Sequence, residues 1–108
     1  AITPGMDMRF RALKEFSGML PRVKAEKKFA FPGKTTAQSI RAGVIGGIIS
    51  EISGFLFHFH KQGNAGGLDV VLTGGDAAFF ENHIKNVTFV EPHLVLIGIN
   101  ALLEYNHA

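Results

Sequence analysis

The residues best suited to chemistry in this chain are Thr73-Gly74-Gly75-Asp76. They follow Val70-Val71-Leu72, an apolar run without polar alternation that predicts a short strand covered on both faces. Paired glycines let the backbone turn sharply and leave no side chain between it and a ligand. A helix is predicted from about Asp76 to Ile84, with Asp76 or Thr73 as its cap and its first amides pointing outward. Strand, glycine turn and helix N-terminus together suit phosphate or a nucleotide. Every parallel α/β fold also needs such turns, so the motif takes its meaning from its neighbours.

The other reactive side chains do not converge. His58 and His60, two of five histidines, stand two residues apart on a predicted helix and so point to different faces. No metal-ligand pair at i, i+4 spacing replaces them. The carboxylates Asp69, Asp76, Glu81 and Glu91 are scattered, and of these Asp76 alone lies on a turn where a ligand could sit. No Ser or His arrangement suggests a nucleophile, so neither catalytic nor metal-binding residues are assigned.

The elements that would position these groups can be read along the chain. Ile2-Thr3 reads as the end of a strand, stopped by Pro4-Gly5. Met6, Phe10, Leu13, Phe16 and Leu20 recur at three- and four-residue spacing, predicting an amphipathic helix from Met6 to Leu20 that Pro21 ends. The charged stretch from Arg22 to Gly33 reads as a connection, with a short strand at Lys28 to Phe31. The longest helix is predicted from Thr36 to His60, capped by Thr35 or Thr36, with Ile40, Val44, Ile48, Ile52, Phe55 and Phe59 as its apolar stripe. A second stripe is small: Gly43, Gly47, Ser50 and Gly54. Each interior glycine, Gly46 included, costs about 1 kcal/mol relative to Ala, so a close neighbour is expected there, from this chain or from a second copy. Gln62 to Gly67 reads as a loop, Val87 to Val90 as a second strand, Glu91-Pro92 as a turn and Leu94 to Tyr105 as a last helix with a partly strand-like start. Strand, helix, strand and helix make a right-handed parallel crossover unit. Two strands cannot serve four apolar helices, so the sheet is expected to be completed by residues outside the chain or by a second molecule.

Composition narrows the function classes. The 108 residues suffice for one domain with a core and are too few for two. A net charge of +2 is too small to argue for nucleic acid, and the basic run from Arg22 to Lys34 reads as a solvated loop. The absence of cysteine fits a reducing, cytoplasmic compartment. Ala42 to Phe59 approaches the length of a membrane span, but Glu51 lies in its middle, where a carboxylate costs roughly 2.5 kcal/mol or more. A core or interface helix is the expected reading, with no membrane. The chain opens abruptly at Ala1-Ile2-Thr3, as a fragment would.

Several stretches together resemble the type III pantothenate kinases. Ile2-Thr3-Pro4-Gly5 is similar to the family's I-x-P-G turn, and Leu13 through Leu20-Pro21 to its helix ending in Leu-Pro. Gly33 through Gly43 resembles its G-x-x-T-x-x-(A/S)-I-x-x-G segment, and Thr73 through Ala77 its T-G-G-x-A adenosine motif. Pro92 through Ile99, followed by Asn106, resembles the closing P-x-L-V-L-x-G-L segment, with Ile99 in place of its last Leu.

The resemblance implies an α/β fold: a ribonuclease H-like half-domain of the actin-like and sugar-kinase superfamily, its sheet incomplete. Residues 1–108 would be the C-terminal domain, with the N-terminal half absent. The family transfers the γ-phosphoryl of ATP to pantothenate, the first step toward coenzyme A, as a homodimer with Mg²⁺ and a monovalent cation (K⁺ or NH₄⁺). Thr73, Gly74, Gly75 and Asp76 would line the adenosine and ribose side of the ATP cleft. Thr36 would reach the pantothenate pocket of the opposite subunit. The phosphate loops D-x-G-N-T and D-x-G-T, the G-x-D-R motif and the catalytic aspartate all precede the matched region. The chain is therefore expected to be inactive alone and to hold no cofactor. The rival expectations are a non-catalytic, self-associating structural or regulatory module of the same fold, and a membrane-associated hairpin centred on the long helix.

Overall fold

The computed structural model describes residues 1–61, 69–85, 89–91 and 93–107, with Phe89 and His107 described by backbone alone. It divides into two compact units, Ala1–His58 and Phe59–Ala108. The loop read at Gln62 to Gly67 lies outside the described residues.

In the first unit, α1 (Met6–Ser17) starts after Gly5, whose carbonyl accepts the Arg9 amide at 3.1 Å. Asp7 occupies its first turn, where the helix dipole favours negative charge. The helix stops at Gly18, which adopts a left-handed conformation (φ 77°) open to glycine and strained for a side chain. This is earlier than the stop expected at Pro21. Met6 and Phe10 of the expected stripe are buried, but Phe16 is 84% exposed, because nothing among the described residues covers the last turn.

The long helix runs from Thr36 to Lys61, 26 residues, close to its predicted span. It comprises α2 (Thr36–Arg41), a π-helical turn (Ala42–Gly46) and α3 (Gly47–Lys61). Thr35 caps it, its hydroxyl accepting the Gln38 amide at 3.1 Å. Ile40, Ala42, Val44, Ile45 and Ile48 are buried and, with Met6, Phe10 and Val23, form the core of this unit. Phe55 and Phe59, at the far end of the expected stripe, are exposed.

The basic connection is pinned down at several points. Arg22 pairs with Asp7 at 2.7 Å, and Val23 is buried. Arg41 donates from Nε to the Lys24 carbonyl at 2.8 Å and pairs with Glu26 at 3.2 Å. No strand forms at residues 2–3 or 28–31. A strand requires a neighbour to accept its ladder hydrogen bonds, and these segments have none among the described residues.

In the second unit, β1 (Val71–Leu72) and β2 (Phe89–Val90) pair in parallel, with Val71 opposite Phe89 and Leu72 opposite Val90. The Glu91 amide extends the ladder to the Leu72 carbonyl at 2.8 Å. Between them lies α4 (Ala77–Phe80), followed by turns to Lys85, so the helix predicted to Ile84 is shorter than expected. Ala77, Phe80 and Ile84 are buried there. The two strands pair in parallel with a helix between them in sequence, as expected. The last element, α5 (Leu94–His107), is helical from its first residue, and Leu94, Val95, Leu96, Ile97, Ile99, Leu102 and Leu103 are all exposed. A helix apolar on every side is ordinarily buried, and the two-stranded sheet is too narrow to cover it.

Candidate nucleotide and substrate sites

Thr73, Gly74, Gly75 and Asp76 are brought together in one exposed turn directly after β1. Gly74 has φ +102°, a conformation that a side chain would strain, and its carbonyl accepts the Ala77 amide at 3.2 Å. The Asp76 carbonyl accepts the amides of Phe79 and Phe80 at 3.1 and 3.3 Å. Neither Asp76 nor Thr73 caps α4 through its side chain, which corrects the capping expectation. Phe79 and Phe80 reach the Asp76 carbonyl, so the first turn closes on main-chain groups. The Asp76 carboxylate, exposed and not engaged in capping, is available to accept hydrogen bonds. A Cβ at Gly75 would meet nothing within 4 Å, so the space beside that backbone is open.

Thr36 opens α2 in the other unit. Thr35, not Thr36, is the cap, and the Thr36 hydroxyl has no hydrogen-bond partner among the described residues. Thr36 and Ser39, three residues apart and so on one helix face, line a groove of about 430 Å³. Its apolar wall is Leu13, Leu20 and Ile40, and Gly43 completes it.

The small stripe borders a second groove of about 440 Å³, with Phe29 and Phe31 on one side and Gly43, Gly46, Gly47 and Ser50 on the other. A Cβ at Gly46 would lie 3.6 Å from the Phe29 ring, and one at Gly47 would lie 3.9 Å from Arg9. At Gly43 and Gly54 it would meet nothing within 4 Å. Among the described residues, then, no atom occupies the space that a side chain at either glycine would take.

A carboxylate inside an apolar helix requires partners, and Glu51 has them. Nη2 of Arg9 donates to both Glu51 oxygens, at 2.9 and 3.0 Å, and the Thr3 hydroxyl donates to Oε1 at 2.6 Å. Nε of Arg9 donates to the Pro4 carbonyl at 2.8 Å, so one arginine ties residues 3–4, α1 and α3 together. The Thr3 hydroxyl and then Arg9 hold the Glu51 carboxyl below its ordinary value, because their hydrogen bonds favour the charged form. Sequence reasoning missed this cluster, although the lone acidic residue of an apolar helix signalled it. By length and composition Thr36–Lys61 could cross a membrane, a test that core helices also pass.

Among the described residues, no group of three or more His, Cys, Asp or Glu is placed to hold a metal ion.

A sequence model of the type III pantothenate kinase family matches residues 1–57, more than half of the chain. The chain belongs to this family. It is 46% identical over 106 residues to the type III pantothenate kinase of Cytophaga hutchinsonii, covering 98% of this chain and 44% of that protein. It is 45% identical to that of Phocaeicola vulgatus (97% and 43% covered) and 31% identical to that of Flavobacterium johnsoniae (97% and 42%). The chain thus spans less than half the length of the curated relatives it matches. As a type III pantothenate kinase sequence, it carries Ile2-Thr3-Pro4-Gly5 and Gly33-Lys34-Thr35-Thr36 inside the matched 1–57. The Thr73–Asp76 turn lies beyond that stretch, in the region shared with the relatives.

Proposed function

We propose that this chain is the C-terminal portion of a type III pantothenate kinase, a ribonuclease H-like half-domain that phosphorylates pantothenate with ATP only when joined to its N-terminal half. The observation that carries this reading is the exposed Thr73-Gly74-Gly75-Asp76 turn at the end of a parallel strand, in a chain of that family. The turn forms the adenosine and ribose wall of the cleft: Asp76 accepts from ribose hydroxyls while Gly74 and Gly75 admit the ligand against the backbone. Thr36 offers its hydroxyl, free of partners among the described residues, to pantothenate held by a second subunit of a cytoplasmic homodimer. Phosphoryl transfer is accelerated mainly by positioning and charge stabilisation. The carboxylates holding Mg²⁺, and the monovalent-cation site, belong to residues outside this chain. Exposed α5 and the two-stranded sheet support an architecture that those residues complete.

The test is steady-state kinetics in the full-length enzyme. Thr36→Val is expected to raise KM for pantothenate far more than KM for ATP, with Thr36→Ser mild, and Gly75→Val is expected to do the reverse. Equal effects of both changes on both substrates would overturn the site assignments. The 108-residue chain alone should neither turn over nor bind ATP at micromolar concentration, since one wall of a cleft buries too little of a nucleotide. A second reading, a non-catalytic self-associating module, rests on the open faces of Gly43 and Gly54.

A further inference from the structure

The turn before α2 is held by a reciprocal clasp centred on Gln38. Its main-chain amide donates to the Thr35 hydroxyl at 3.1 Å, and its side-chain Oε1 accepts the Lys34 amide at 2.8 Å. The Thr35 carbonyl accepts the Ser39 amide at 2.9 Å. Gly33 completes the fit: a Cβ there would fall 2.6 Å from the Ser39 Cα and 2.5 Å from the Gln38 carbonyl carbon, closer than real side chains approach. This is a variant of the capping box, in which the glutamine reaches one residue further back than the cap. Residues 33–35 are thereby fixed from both ends, by a hydroxyl and by an amide oxygen.

Thr36 follows this clasp directly and takes no part in it. Its hydroxyl has no hydrogen-bond partner among the described residues and lies beside Ser39 on the 430 Å³ groove. We infer that Gln38 is a positioning residue for pantothenate binding: through the Lys34 amide it sets the backbone from which Thr36 presents its hydroxyl. This rests on the reading of Thr36 as a substrate contact. Loss of the Oε1 bond frees the 33–35 turn to shift and displaces Thr36, while the Thr73–Asp76 turn, on a separate unit, is untouched.

Four variants of the full-length enzyme test this: Thr36→Val, Gln38→Leu, Gln38→Glu and the double variant Thr36→Val with Gln38→Leu. Gln38→Leu should raise KM for pantothenate about three- to tenfold, the loss of one hydrogen bond's worth of binding, with KM for ATP within about twofold. Gln38→Glu keeps an acceptor oxygen and completes a T-x-x-E box, so it should restore the wild-type value. If Gln38 acts through Thr36, the double variant should bind pantothenate no more weakly than Thr36→Val alone. A selective Thr36→Val effect with Gln38→Leu silent, non-selective, or fully additive to it would overturn the role of Gln38 and leave that of Thr36 standing. A silent Thr36→Val would remove the Thr36 reading, and this inference with it. Should Gln38→Leu fold poorly, Gln38→Ala under the same comparison, with thermal midpoints measured in parallel, decides between a positional and a purely structural loss.

Discussion

Replacing Gly43 and Gly54 by Ala asks whether the small face of the long helix serves the chain or an assembly. Neither added Cβ meets an atom within 4 Å, and neither glycine has a positive φ, so no strain opposes the change. What remains is the removal of glycine's excess backbone freedom, about 0.4–1 kcal/mol at each site. Eleven residues at about 1.5 Å rise separate the two by roughly 16 Å, far enough for their effects to add to about 1–2 kcal/mol. For a domain of this size that corresponds to a rise in Tm of about 4–16 °C. Thermal unfolding followed by circular dichroism at several protein concentrations, beside sedimentation equilibrium, reads both quantities. Stabilisation of the monomer with weakened dimerisation is expected, because the same open space admits a partner's backbone. A fall in monomer stability would refute the reasoning, since it would mean that the glycines are needed within the chain. Stabilisation with unchanged assembly would take this face out of the interface.

Acid sensitivity should centre on Glu51. Its folded value lies below its unfolded one, so the stability it contributes is fully present above the unfolded value, about pH 4.5, and is lost as pH falls through the folded value. Urea midpoints between pH 3 and 7 should therefore lose part of their acid limb in Glu51→Gln; an unchanged limb would show that the Arg9–Thr3 cluster contributes no linkage. Ile45 is 0% exposed, and Ile45→Ala should cost about 2–5 kcal/mol in denaturant unfolding; a cost below about 1 kcal/mol would contradict its place in the core. Gly33→Ala should lower Tm measurably, since its Cβ would collide with the main chain of Gln38 and Ser39 and neither can yield without moving the helix start. A neutral Gly33→Ala would mean that the turn is looser than the clasp requires.

The family and its local elements were legible because they depend on nearest neighbours in sequence. The 3.6-residue stripe of Ile40, Val44 and Ile48 places the long helix, Thr35 caps it, and the parallel crossover follows from two apolar runs separated by a helical segment. The Thr73–Asp76 turn was legible for the same reason: glycine pairs are local backbone chemistry. Tertiary structure decided whatever depends on a distant partner. Ile2-Thr3 and Lys28–Phe31 carry strand-like residues but have no neighbour among the described residues to complete a ladder, and Phe29 instead covers Gly46. Gly18 and Pro21 are both plausible stops for α1, and the left-handed backbone at Gly18 selects the first. The pairing of Glu51 with Arg9 joins residues 42 apart. The sequence by itself could demand a partner for a carboxylate in an apolar helix; only the packing of α1 against the π-helical turn could say which cation answers, because that choice is made by proximity in space, on which local periodicity carries no information.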